Sequence, residues 1–208
     1  MTSAVHTHEA ADHTELRHVV KGAVVLGVFQ TVLVFAFSFA FRILEGPQET
    51  AVGALIVLVG VAATTLLPGI LTRPRTIEGI AGAAGIGLGA TFVFLVLDVA
   101  LLQPLGTYTN RWLQIGGGSN WWYHPVWWMA GTYLSWMGAF AMANQARRNR
   151  ASPIGVLAIS LVLALVLGAI AVVIGFPRAE WNLGTFSVAY LPAIALTVLL
   201  TGLRGRGR

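Results

Sequence analysis

The sequence predicts an all-α integral membrane protein, a bundle of six transmembrane helices with both ends in the cytoplasm. Three observations lead there. The chain has 208 residues, 56% hydrophobic and only 10% charged, with a mean hydropathy of +0.76, whereas a soluble domain carries roughly a quarter charged residues. Six apolar stretches reach the length of about 20 residues that a helix needs to cross the hydrocarbon core. The basic residues fall in short groups beside those stretches instead of forming one patch.

The stretches are 19–43, 51–71, 79–102, 125–145, 154–174 and 183–203. Asp12 and Glu15 have the spacing of a capping box, which places the start of the first helix near Asp12. Ser38-Phe39-Ala40 has the form of a signal-peptidase site, but the apolar run before it exceeds the roughly 7–15 residues of a leader core, so it reads as a span. The division expected is a cytoplasmic tail at 1–18, containing histidines and acids, and one membrane domain at 19–208 with a long outer loop at 103–124.

Orientation follows from the placement of Arg and Lys. With the first residue inside, Arg17, Lys21, Arg73, Arg75, Arg147, Arg148, Arg150, Arg204, Arg206 and Arg208 are cytoplasmic, and only Arg42, Arg111 and Arg178 are outside. Ten of the 13 basic residues therefore favour both ends inside. The same grouping accounts for the net charge of +5 without nucleic acid, which is not an expected partner.

The third stretch is rich in glycine. Ala81, Gly85 and Gly89 fall four apart, so they line one face and permit a neighbouring backbone to come close. Ala84, Gly87, Thr91 and Asp98 lie on roughly the opposite face. Small residues on both faces predict a helix packed on two sides, at the bundle centre. The two halves of the chain share only loose similarity, and no inverted repeat is predicted.

Asp98 is the one acid inside a predicted span. A charge at that depth is costly, so it is expected to face protein or water. Two readings follow: a proton, cation or ligand site, or a helix-end carboxylate paired with Arg111 or hydrated near the interface.

The most distinctive stretch begins at Tyr108 and runs through Arg111, Trp112, Trp121, Trp122, Tyr123 and His124 to Trp127 and Trp128. Five of the seven tryptophans are here, and Trp181 falls at the same outer surface. Aromatic belts normally occupy both interfaces, but no tryptophan or tyrosine falls on the cytoplasmic side. The imbalance points to a stacking surface or docking patch, with Arg111 placed to lie over a ring. Trp127 and Trp128 point about 100° apart on a helix, so one is expected to face inward. The triple glycine at 116–118 would let the loop fold back over Asp98 as an aromatic cap.

Several chemistries lack their parts. Without cysteine there is no disulfide, thiolate metal site or iron–sulfur cluster. No histidine lies inside a span to ligate a haem. Lys21, the only lysine, sits at a helix start and not where retinal would need it. Gly116-Gly117-Gly118-Ser119 lacks the lysine of a phosphate-binding loop. Ser135 and Ser160 have no histidine at their depth. In the tail, His8, Asp12, Glu15 and His18 share a helix side that would hold a divalent metal weakly; a solvated tail is the plainer expectation. No cofactor and no metal are expected.

The functional expectation is a non-catalytic inner-membrane protein: an accessory or scaffolding subunit that docks a lipid, another membrane protein or a second copy through its outer aromatic surface. The alternative is a small-solute or ion transporter using Asp98 and the outer aromatic mouth. Mid-depth polar residues are sparse for transport, which usually places polar groups and broken helices at the midplane.

Overall fold

The computed structural model describes residues 12–108, 123–148 and 152–203, for 123–125 the backbone alone. These residues form six helices: α1 Leu16–Ile43, α2 Gly46–Thr72, α3 Ile77–Leu97, α4 Tyr123–Ala146, α5 Pro153–Val173 and α6 Leu183–Leu203. A π-helical turn, Asp98–Leu102, continues α3. Five helices, α3 counted with its π turn, are long and apolar enough to cross a membrane. They mark a multi-pass membrane protein, and the fold is compatible with a helical membrane bundle. The sixth, α4, has 24 residues; Trp127, Trp128, Tyr133, Trp136, Asn144 and Gln145 make it less apolar than its neighbours.

Helix starts follow local chemistry. α2 begins at Gly46, earlier than the sequence suggests, because Gly46 turns with φ +65° and Pro47 fits the first turn, where a missing N–H costs nothing. It ends where Arg73 enters the left-handed region (φ 48°) and donates its N–H to the Gly69 carbonyl. The expected start of α1 near Asp12 is corrected to Leu16: Glu15 occupies the N-cap position without a side-chain bond. The Asp12 carboxylate is engaged elsewhere, as described below.

α3 runs between α1 and α4, and α2 lies across all three. The α5–α6 hairpin joins this group mainly through α6, which packs on α4. α3 therefore shares the bundle centre with α4. Where lipid is the solvent, helices gain little by burying apolar surface against one another, so close backbone approach and hydrogen bonds have to hold them. A Cβ at Gly27 of α1 would lie 2.6 Å from the Ala90 carbonyl of α3. On the other side, Gly87 faces Ser135 and Gly131 faces Thr91, and a methyl group at either glycine would overlap its neighbour. Gly138 of α4 meets the Thr65 carbonyl of α2 in the same way.

Proline adds a further link. Pro68 has no N–H to give the Thr64 carbonyl one turn back. The Ser135 hydroxyl lies 3.0 Å from that carbonyl and 2.9 Å from the carbonyl of Gly131, so its proton reaches either. The Thr64 hydroxyl accepts from Gln30 of α1 at 3.0 Å. Thr64 thus ties α1, α2 and α4 together. Across the other seam, Tyr133 donates to the Leu191 carbonyl (2.9 Å) and Ser160 meets Thr197 (2.9 Å).

Candidate functional site

The site forms where α3 ends. In the π turn the Gln103 N–H bonds the Asp98 carbonyl at 2.9 Å, five residues back, so the turn holds one more residue than an α turn. That spacing stacks the Gln103 side chain over Asp98, and its amide donates to Asp98 Oδ2 at 2.8 Å. The chain then reverses at Gly106 (φ 62°). This returns Tyr108, whose hydroxyl donates to Asp98 Oδ1. Asp98 is completely buried, and among the described residues its hydrogen bonds come from neutral groups of its own segment.

α1 holds the returning loop from the side. Ser38 donates to the Thr107 carbonyl, and the Arg42 guanidinium donates to the carbonyls of Gly106 and, at 2.9 Å, of Thr107. The Thr107 hydroxyl is buried without a partner among the described residues. Below the loop, Val34, Phe94, Leu95 and Leu102 form a small core against which Tyr108 and Trp127 pack. The rings of Trp127 and Phe94 are 5.3 Å apart at 52°, within the range favoured by aromatic pairs.

The structure brings together Asp98, Tyr108 and Trp127 of the residues singled out from the sequence. Trp127 points inward, half-buried, and Trp128 is 44% exposed. Trp181 is 68% exposed, its ring 5.9 Å from that of Phe186 on α6. Tyr123 and His124 form the first turn of α4. Arg111, Trp112, Trp121 and Trp122, and with them the Asp98–Arg111 pair and the folded-back cap, lie outside the described residues. On the glycine face, Ala81 is exposed. A Cβ at Gly85 would meet Val19 at an ordinary 3.6 Å, and one at Gly89 would press on Ala23 at 2.8 Å.

Sequence reasoning missed Gln103, Ser38 and Arg42. The signal for Arg42 was available: a cation closing an apolar helix needs acceptors, and a loop with free carbonyls supplies them.

The opposite end of α3 holds the other aspartate. Asp12 arrives from the tail and accepts from the backbone N–H groups of Arg75 (2.9 Å), Thr76 (3.0 Å) and Gly79 (3.1 Å), and from the Thr76 hydroxyl. Partial burial raises its pKa, but the hydrogen bonds together outweigh this, and the carboxyl sits below its ordinary value of 3.8. His13 donates its N–H to the Thr72 carbonyl at 2.9 Å, and the His18 ring nitrogen lies 3.1 Å from the Leu71 carbonyl. Residues 12–18 thus fasten the α2–α3 junction. Among the described residues no three of His, Asp and Glu converge as metal ligands; His8 lies outside them.

Compared with known proteins, the chain matches no family model, no curated protein and no solved structure.

Proposed function

We propose that this is an inner-membrane protein with six spans and both ends in the cytoplasm, acting as a non-catalytic accessory subunit. Its outer aromatic surface docks a membrane-protein partner. The grouping of ten basic residues against three supports the orientation. A less apolar α4 suits a sixth span at the bundle centre, where protein surrounds it more than lipid.

One observation carries the docking reading: the outer end of α3 is fastened while Trp128 on the adjoining α4, and Trp181 just before α6, stay exposed. Asp98 is satisfied by Tyr108 and Gln103, the loop by Ser38 and Arg42, and Trp127 by its packing on Phe94. Trp128 and Trp181 remain outward. Rigid aromatic anchors beside a braced loop lose little conformational freedom on binding, as interface hot spots require. The test is purification from native membranes in mild detergent. A partner at fixed stoichiometry is expected, and the Trp128→Ala/Trp181→Ala double variant should lose it with unchanged thermal stability. Retention of the partner by the double variant overturns the reading.

The transporter reading retains one supporting observation, a fully buried carboxyl facing only neutral donors among the described residues. Under it, Asp98→Asn abolishes solute or proton flux in vesicles while leaving the fold intact.

A further inference from the structure

Between α1, α2 and α4, with Phe94 of α3 as the back wall, lies a cavity of about 270 Å³. Its surface is almost wholly apolar. Phe37, Phe94 and Trp127 supply three aromatic walls, and Gly60 leaves space where a side chain would stand. The walls from Leu33, Ile56, Val57 and Gly60 are only partly buried, so the cavity is not sealed.

Two polar side chains line this space, Gln30 from the middle of α1 and Thr64 from α2. They share one hydrogen bond, from the Gln30 amide nitrogen to the Thr64 hydroxyl oxygen at 3.0 Å. A glutamine side chain offers two N–H donors and a carbonyl acceptor, and a threonine hydroxyl can also donate. Among the described residues the Gln30 carbonyl, its second amide hydrogen and the Thr64 hydroxyl hydrogen have no side-chain or backbone partner. Polar groups left unmatched at hydrocarbon depth are costly. Gln30–Thr64 therefore does more than pin two helices: its unmatched donors and acceptor belong to side chains that line an apolar chamber with aromatic walls.

We propose that this cavity binds a lipid-soluble planar ring carrying carbonyl or hydroxyl groups, the quinone class, and that the ligand enters sideways from the membrane. Each property of the site selects for part of that description. A dry apolar cavity of about 150 Å³ is enough to hold benzene, so this one accommodates a substituted ring and the first part of its tail. Aromatic walls favour a flat ring over a flexible chain. The Gln30 amide hydrogen suits a ring carbonyl, and the Gln30 carbonyl suits the hydroxyl of the reduced ring. Lateral entry through hydrocarbon excludes charged or water-soluble ligands. The site goes beyond the docking surface proposed above and shares only Phe94 and Trp127 with the residues argued there.

The experiment uses the full chain in nanodiscs, titrated with a decyl-tailed benzoquinone and, in parallel, with decylbenzene, which lacks the ring oxygens. Binding is read by calorimetry and by saturable quenching of tryptophan fluorescence. Wild type should bind the quinone saturably and at least tenfold more tightly than decylbenzene. Gln30→Leu should remove that preference, weakening the quinone by about tenfold, the loss of roughly one hydrogen bond. Gly60→Leu should fill the cavity and abolish saturable binding of both compounds. Should Gly60→Leu not fold, Gln30→Leu decides the matter alone. Equal affinity for the two compounds would make the cavity an acyl-chain slot and overturn the proposal, as would no saturable binding or a Gln30→Leu protein that still prefers the quinone. The Trp128→Ala/Trp181→Ala variant should bind quinone normally, so loss of the partner and loss of the ring ligand are separable.

Discussion

The two ends of α3 solve opposite problems with the same residue type. At its amino end, Asp12 comes from 63 to 67 residues away in sequence, stays partly exposed, and accepts the backbone N–H groups of Arg75 and Thr76, just before the helix, and of Gly79 in its first turn. The helix dipole favours a negative charge there. At the carboxyl end, Asp98 is fully buried and its partners, Gln103 and Tyr108, are five and ten residues on. The dipole opposes a negative charge at that end, and among the described residues the compensation comes from the local side chains of Gln103 and Tyr108. An acid at a helix start is stabilised by backbone that every helix has. An acid at a helix end needs a purpose-built loop, which here is the π turn, the Gly106 reversal and the Ser38–Arg42 bracket.

This contrast ranks the effects of substitution. Asp98→Ala should be the most damaging, because it removes the carboxylate that accepts from the Tyr108 hydroxyl and the Gln103 amide in a buried site. Losing a buried hydrogen-bond acceptor costs about 1–3 kcal/mol. Thermal unfolding in detergent would measure the loss, and Asp98→Ala/Tyr108→Phe should lose less than the sum of the single changes. Additive losses would show that the two residues do not form one unit.

Next, Gly89→Leu tests the shaft of α3 between the two ends. A Cβ placed there would already press on Ala23 at 2.8 Å, and overpacking typically costs about 1–3 kcal/mol. Gly85→Ala, which meets Val19 at an ordinary distance, should be close to neutral. Equal tolerance at both positions would mean that α1 yields along that whole face.

Asp12→Ala should cost less, about 0.5–2 kcal/mol, as for loss of a helix cap. A loss as large as that of Asp98→Ala would erase the distinction between the two ends.

The smallest effect is on pH. Asp12 sits below its ordinary value of 3.8 when folded, so its contribution is present above that value and fades as pH falls through the lowered one. The stability difference between wild type and Asp12→Asn should therefore stay constant near neutrality and shrink below about pH 3.8. A difference that widens on acidification would reverse the assigned sign.

What could be read from the sequence follows the same division between local and distant partners. The spans were legible because a run such as 154–174 must find apolar surroundings whatever it touches, and α5 and α6 lie within a residue of the expected bounds. The two-sided packing of α3 was legible in kind from its small residues. Its register was not, since which glycine is crowded depends on where Ala23 and Ser135 arrive. Asp12 misled because capping-box spacing is a local pattern, whereas the carboxylate was recruited by a helix whose first turn is more than sixty residues later. The partners of Asp98 were hidden for another reason. Gln103 and Tyr108 reach it only because the turn is π-helical and reverses at Gly106, and residue spacing alone does not announce either.

The clasp at Asp12 also bears on how the protein is made. It cannot close fully until Gly79, in the first turn of α3, has been synthesised, so Asp12 stays unclasped while α1 and α2 are made. α1 then docks on α3, its neighbour in space but not in chain order. By residue 108 the growing polypeptide contains every hydrogen-bond partner described above for both aspartates. The first three helices are thus equipped to assemble as a unit before α4 exists, and the later helices are added to a template already closed at both ends.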